Sequence, residues 1–340
     1  MRLSTQLAYA SDPRATIEQA AALERAGVDV AWVAEVYGFD APTLLGYLAA
    51  RTERMLLGAG ILPIYSRTPA LIAQTAAGLD AVSGGRCLLG LGASGPQVIE
   101  GWHGVPYDRP LARTREIVDI CRRAWRRETL TNDGVYPLPL PGGTGLGKPL
   151  KMLTRPVRDR IPIFIAALGD RNVELTAEIA EGWLPIFFIP DKADDVWGAP
   201  LAAGLAKRQA DLGDLEIVAG GLVAIGDDVT ALREAARPMA ALYIGGMGAR
   251  GRNFYHDLAC RYGYAAEADL VQELYLDGRH REAEAAVPAE FLELTNLIGP
   301  AGYVRERLEV FRAAGVTMLN VMPIGPEPLR DVETVKGWLS

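Results

Sequence analysis

Few side chains in this sequence could carry covalent or acid–base chemistry unaided. It has three histidines, His103, His256 and His280, and three cysteines, Cys87, Cys121 and Cys260. The cysteines are far apart and form no C-x-x-C pair, so neither a disulfide framework nor a zinc site is expected, and no metal. There is no nucleophile elbow and no His/Asp cluster, which leaves hydrolase and phosphoryl-transfer readings little to stand on. Groups that titrate at expected strand ends are few, Tyr9, Glu35 and Tyr37 among them, and His103 is one of the three histidines. Each could pass one proton, a contribution of about 10² to 10⁴ in rate. Around them lie turns of glycine and small or apolar residues: Gly60-Ile61, Gly92-Ala93-Ser94-Gly95-Pro96-Gln97, and Ala167-Leu168-Gly169-Asp170-Arg171-Asn172. A smooth apolar mouth floored by glycine suits a flat cofactor that carries the chemistry itself.

The elements that must position these turns alternate regularly. Apolar runs at Leu3 to Ala8, Val28 to Ala34, Met55 to Leu62, Arg86 to Gly92, Ile161 to Ala166, Trp183 to Phe188, Glu216 to Ile225 and Val316 to Met322 read as strands. Continuous runs such as Ile161-Pro-Ile-Phe-Ile-Ala mark strands buried on both faces. Between them lie amphipathic stretches, among them Pro42 to Glu53, Pro69 to Val82, Leu111 to Arg127, Asn172 to Ala180, Asp191 to Leu212 with a break at Gly198-Ala199-Pro200, and Gly302 to Ala314. Gly27 and Gly315 stand where a helix C-cap needs a left-handed residue. Eight β/α units predict an α/β fold, a (β/α)8 barrel with its site at the C-terminal strand ends. The rival, an open doubly wound sheet, lacks its first-strand G-x-G-x-x-G.

One domain is expected over 1–340, with two excesses: an inserted loop at 131–160 and a helical insertion at 228–294 before the last strand. The 49% hydrophobic and 23% charged composition excludes a disordered chain. A net charge of −7 speaks against nucleic acid. No run approaches 18 apolar residues and the N-terminus lacks a signal-peptide core, so a cytoplasmic protein with no membrane span is expected. The arginines of 113–127 are interleaved with Glu116, Asp119 and Glu128, the mark of a solvated, ion-paired face. The segment from Glu267 to Glu284 reads as amphipathic packing. The turn 167–172 joins a strand to a helix start, where free N–H groups attract anions; a plain βα turn with Asp170 as N-cap fits equally.

Leu57-Gly-Ala-Gly-Ile-Leu-Pro-Ile-Tyr-Ser-Arg-Thr-Pro-Ala70, Leu79-Asp-Ala-Val-Ser-Gly-Gly-Arg86 and Leu89-Gly-Leu-Gly92 resemble the luciferase-like superfamily of flavin- and deazaflavin-dependent oxidoreductases. Ser94 to Gly104, Ile163 to Gly169 and Ala180-Glu-Gly-Trp183 are similar to its coenzyme F420-using branch, as in methylenetetrahydromethanopterin reductase-type proteins. The resemblance runs nearly the whole chain, through Pro141 to Leu150 and Ala313 to Val316.

It implies a non-prolyl cis peptide at Gly60-Ile61 backing the deazaflavin ring. The tail phosphate would be held by the loop that starts at Ala167, with Leu168, Gly169, Arg171 and Asn172 at the matching positions. Gly92, Ala93, Ser94, Gly95 and Gln97 would line the ring's polar edge and ribityl-like chain. Glu35 stands where relatives carry an aspartate that contacts the ring; it could orient the ring, exchange a proton if burial raises its pKa, or cap the loop before Asp40. His103 is a proton donor or a structural histidine, and Trp102 and Trp183 are expected to pack. The sequence departs from the family's sugar-phosphate dehydrogenases, which place glutamate at Gly95 and histidine at Val36, so that substrate is not expected.

The resemblance implies hydride transfer between F420 and a small organic substrate, an apolar carbonyl, enone or imine, with reacting carbons about 3–3.5 Å apart. An FMN-dependent monooxygenase and a deazaflavin-binding protein with little catalysis are the alternatives. A homodimer is implied.

Overall fold

A computed structural model describes residues 1–7 and 12–339. Tyr9 lies outside them. The strands are β1 (Arg2–Leu7), β2 (Val30–Val33), β3 (Leu56–Ala59), β4 (Leu62–Pro63), β5 (Cys87–Gly92), β6 (Ile163–Ala166), β7 (Gly182–Trp183), β8 (Glu216–Ile225), β9 (Leu297–Gly299) and β10 (Met318–Pro323). They pair in parallel in the order β10-β1-β2-β3-β5-β6-β7-β8, and β8 closes the ring on β10. The fold is a (β/α)8 barrel. Its eight staves overlap the eight apolar runs, with β1, β7 and β10 each reaching one residue beyond, and three further details differ. The run Met55 to Leu62 is broken, because β3 ends at Ala59 and β4 pairs onward with β5. The run Trp183 to Phe188 pairs only at Gly182–Trp183, and Phe187 beyond it takes a left-handed φ of 51°. The short β9 pairs only with the outer end of β8.

The helices are α1 (Pro13–Arg25), α2 (Ala41–Ala49), α3 (Pro69–Val82), α4 (Pro96–Gly101), α5 (Pro110–Trp125), α6 (Asp170–Ile179) and α7 (Ala193–Leu205). Then follow α8 (Thr230–Glu234), α9 (Arg237–Ala241), α10 (Phe254–Arg261), α11 (Ala265–Leu276), α12 (His280–Ala286), α13 (Ala289–Thr295), α14 (Ala301–Ala313) and α15 (Pro328–Leu339). Contrary to expectation, α7 runs unbroken through Pro200. Residues 228–294 are a chain of short helices, punctuated by Gly251, Gly263 and Gly278 at positive φ. On α5, Arg115 pairs with Glu178, Arg122 with Glu181 and Arg123 with Asp119, so these cations are spent on neighbours.

The barrel interior is filled by Val30, Trp32, Leu88, Phe164, Val218 and Met318. Trp32 meets Phe164 edge-on at 5.2 Å. Two large rings fit because their neighbours have no side chain: a Cβ on Gly58 would lie 2.3 Å from the Trp32 ring, and one on Gly182 2.1 Å from that of Phe164.

Near the start of β3, Glu24 ties α1 to the barrel: its carboxylate accepts from the backbone N–H groups of Arg54 and Met55 at 2.7 Å and of Glu53 at 3.1 Å. Burial pushes its pKa up, but the three N–H groups outweigh it and hold the value below the ordinary 4.5. The carboxylate therefore stabilises the fold above pH 4.5, and that contribution is lost as the pH falls through the folded-state value. Glu24→Ala should lower the unfolding free energy at pH 7 by about 1.5–3 kcal/mol. Urea midpoints should show the gap to wild type shrinking below pH 4.5.

The connection from α5 to β6 has no regular element, and both its flanks are pinned. Glu116 accepts from the N–H groups of Val135 (2.7 Å) and Tyr136 (3.0 Å) and from Asn132 Nδ2 (2.8 Å). Arg158 pairs with the fully buried Asp80 and donates to the Cys87 carbonyl at 2.7 Å. Between these anchors the chain lies open, with Leu140, Leu146 and Leu153 exposed.

Candidate active site

The C-terminal strand ends converge on a floor nearly free of side chains. Gly92 on β5 stands opposite Ala166 on β6, so the loops that follow, 93–95 and 167–169, lie side by side. The peptide between Gly60 and Ile61 is cis. A Cβ on Gly92 would sit 2.9 Å from Ile61 Cγ1, and one on Gly90 only 1.8 Å from the Ala59 carbonyl oxygen. Gln6, the last inward residue of β1, brings its Oε1 within 3.3 Å of where a Gly60 Cβ would be. Its Nε2 and the Trp32 indole Nε1 are buried with no partner among the described residues. Sequence reasoning missed both, although Arg2, Ser4 and Gln6 form a period-2 polar row on β1.

Glu35 lies two residues beyond β2 and is buried. Its Oε1 takes Arg67 Nη1 at 2.5 Å, while Oε2 takes Arg67 Nη2 at 2.9 Å and the Ala41 N–H, at the start of α2, at 2.8 Å. Asp40 caps the same helix through Thr43 N at 3.2 Å. Both carboxylate oxygens are thus engaged, and of the expectations for Glu35 this geometry favours a positioning one. It holds Arg67 and the start of α2. Arg67 stood inside the run 57–70 but was not singled out.

Tyr37 is 60% exposed on the rim. Burial, then Tyr37 and Glu284, push the phenol of Tyr275 on α11 up. His103 follows α4; its backbone N–H donates to the Val98 carbonyl at 3.2 Å, and its Nε2 is buried without a partner among the described residues. Trp102 is 65% exposed, so the expectation that it packs is wrong. Ser94 takes a left-handed φ of 57°, and its carbonyl accepts from the Tyr107 hydroxyl at 3.4 Å. Gly95 caps α4, and the Met247 carbonyl of the insertion lies 3.8 Å from where its Cβ would be. Gln97 is exposed. Above this loop Tyr243 and Tyr255 stand edge-on at 4.7 Å. Burial, with Tyr243 and Tyr107 nearby, pushes the Tyr255 phenol far up, so it stays protonated.

The loop after β6 has its carbonyls drawn backward. Trp183 Nε1 donates to the Ala167 carbonyl at 2.9 Å; Trp197 Nε1, at 3.3 Å, and Arg261 Nη1, at 3.1 Å, donate to that of Leu168. The N-cap of α6 is Gly169, with no side-chain cap, and not Asp170, which is the first helical residue. Asn172 N and Val173 N bond to the Gly169 carbonyl, whereas the N–H groups of Asp170 and Arg171 have no acceptor among the described residues. Arg171 is exposed, and Asn172 Oδ1 is buried without a partner among the described residues. The structure therefore gathers Gly60, Ile61, Gly92 to Gly95 and Ala167 to Asn172 on one rim. Gln97 and Tyr37 are exposed near it.

Residues 1–318 match the family described as luciferase-like monooxygenase. The alignment with a Mycobacterium tuberculosis protein, provisionally named as a coenzyme F420-dependent oxidoreductase, is 44% identical over 340 residues and covers 98% of each chain. The chain belongs to the luciferase-like monooxygenase family. Within it, the 5,10-methylenetetrahydromethanopterin reductase of Archaeoglobus fulgidus is 28% identical over 321 residues, 92% of this chain and 90% of that one. The fold matches the coenzyme F420-dependent tetrahydromethanopterin reductase of Methanopyrus kandleri with a TM-score of 0.79 at 22% identity, covering 98% of this chain and 97% of that one. Among the described residues no helix is long and apolar enough to cross a membrane, and no three His, Cys, Asp or Glu side chains are grouped to hold a metal ion.

Proposed function

We propose that this member of the luciferase-like family is an oxidoreductase that uses coenzyme F420 to exchange a hydride with a small organic substrate bearing a carbonyl, enone or imine. One observation carries the reading: a floor without side chains and an uncapped helix start share one rim. Gln6 Nε2, buried and without a partner among the described residues, fits the coenzyme beside the floor, and the free N–H groups of Asp170 and Arg171 fit its anionic tail at the helix start. The 44% identity to a relative named for F420 supports the same coenzyme.

When bound, the deazaflavin supplies a two-electron carrier that gives or takes a hydride at a ring carbon. The chain supplies the rest. Gly60, Ile61, Gly92, Ala93, Ser94 and Gly95 leave room for a flat ring, and Ala167, Leu168, Gly169, Arg171 and Asn172 form the loop and helix start that face an anionic tail, with the free N–H groups of Asp170 and Arg171 and the Arg171 guanidinium as donors. Glu35 fixes the loop that carries Tyr37. Tyr37 and His103 are the proposed proton carriers, and the aromatic, uncharged cover from Tyr107, Tyr243 and Tyr255 suits an apolar substrate.

Fluorescence-quenching titrations with oxidised F420 and with FMN test the coenzyme. Tighter binding of F420 supports the proposal. Tighter binding of FMN with oxygen consumption overturns it in favour of a monooxygenase. F420 binding with no hydride exchange across a panel of carbonyls, enones and imines favours a binding protein.

The protein also acts as a homodimer on this reading, joined through α2 and α3. Asp80 is the one charged residue in these helices and it is buried, while Tyr47, Leu71 and Val82 are exposed. Gly46 and Gly78 stand mid-helix, where a Cβ would touch nothing within 4 Å, at a cost of about 1 kcal/mol each relative to alanine. A close-packed second copy gives these glycines a purpose. Light scattering should read twice the 36.6 kDa chain mass, and Gly78→Arg should return it to one chain.

A further inference from the structure

We propose that Arg261, on the last turn of α10, is a positioning residue for the coenzyme's phosphate, so that the 228–294 insertion sets the strength of anion binding at the α6 start. This rests on the F420 reading above. The guanidinium makes three contacts. Nη1 donates to the Leu168 carbonyl at 3.1 Å, and Nη2 donates to Asp170 Oδ1 at 2.7 Å and to the Val196 carbonyl.

Each contact has a physical reason. Four residues on from Val196 stands Pro200, which has no N–H, so the Val196 carbonyl is left without its helical donor and is open to Arg261. That bond fixes the guanidinium in place. The Leu168 bond draws a carbonyl away from the rim and leaves the N–H groups of Asp170 and Arg171 as the groups facing an incoming anion. The Asp170 pair cancels a charge that would oppose a bound anion. A carboxylate in the first turn of a helix is at home without a ligand. Beside a bound phosphate it repels, and a guanidinium on its oxygen neutralises that repulsion. The turn that bears Arg261 is itself held down: Tyr262 accepts the Ile189 N–H at 3.1 Å and packs edge-on against Trp197 at 5.7 Å, and Lys192 donates to its carbonyl.

The test compares binding of F420 with that of the phosphate-free deazaflavin bearing only the ribityl chain, by fluorescence quenching, in wild type, Arg261→Ala, Arg261→Lys, Asp170→Asn and the Arg261→Ala/Asp170→Asn double variant. Arg261→Ala should weaken F420 about tenfold or more and leave the phosphate-free compound within about twofold. Arg261→Lys should recover part of the loss. Asp170→Asn alone should bind F420 as well as wild type, and in the double variant it should restore part of what Arg261→Ala removes, because the uncompensated charge is then gone. The Michaelis constant for F420 should rise with kcat at saturation retained. Equal weakening of both compounds, or additive losses in the double variant, overturns the proposal in favour of a merely structural arginine. Unchanged F420 binding in Arg261→Ala overturns it while the coenzyme assignment stands. A wild type that binds F420 no more tightly than the phosphate-free compound overturns the anion loop itself, and the coenzyme reading with it.

Discussion

Arg67→Ala should cost about 3–5 kcal/mol of unfolding free energy, because it leaves the Glu35 carboxylate buried without its countercharge. Only 13% of the Arg67 side chain and 7% of that of Glu35 are exposed, so water cannot take over the lost bonds. The remaining partner, the Ala41 N–H, is neutral. Glu35→Gln should be milder, since an amide can still accept from Ala41 and from Arg67. Denaturant midpoints measure both. The same pair of variants decides the role of Glu35 in turnover. A side chain bonded on both oxygens positions its loop, so Glu35→Gln should keep the shape of the pH–rate profile. Loss of one limb of that profile, with a drop of about 10² to 10⁴ in kcat, would instead make Glu35 the proton carrier.

Gly90→Ala should be almost as costly, at least about 3 kcal/mol, and should also weaken coenzyme binding. Overpacking in a core usually costs about 1–3 kcal/mol because side chains give way. Here the obstacle is main chain: the new methyl would lie 1.8 Å from the Ala59 carbonyl oxygen, so β3 and β5 would have to part just before the floor. The same change at Gly337, in α15 where a Cβ meets nothing within 4 Å, should stabilise by about 0.5–1 kcal/mol. Opposite signs for one chemical change, read from thermal or urea unfolding, test whether the floor glycines are there for space.

The staves were legible in the sequence because a strand buried on both faces must be a continuous apolar run; Ile163–Ala166 is one such case. The punctuation was legible where one residue type is demanded, as at Gly27 and Gly315, with φ of 101° and 85°. What escaped was decided by contacts between distant segments. Pro200 reads as a break, yet α7 passes through it because Arg261 takes the carbonyl that it frees. Asp170 reads as a cap, yet the chain caps with Gly169 and turns Asp170 toward Arg261. The loops after the third, fourth and fifth barrel runs were readable as a site because glycine there has no packing to do. Arg67, Gln6 and Arg261 were not, because a lone arginine or glutamine looks the same at a rim as on any surface.

The open stretch between Tyr136 and Arg158 falls at the midpoint of the ring, with β1, β2, β3 and β5 before it and β6, β7, β8 and β10 after it. Since Glu116 moors one flank and Arg158 the other, severing the exposed turn near Gly142 to Gly145 frees neither side. The molecule is in effect two four-stave halves sharing one tether, each carrying part of the rim: Gly60 and Gly92 on the first, the α6 start on the second. A protease acting there would leave a nicked enzyme whose pieces stay clasped, and separately made halves would have to find one another before either could grip the whole coenzyme.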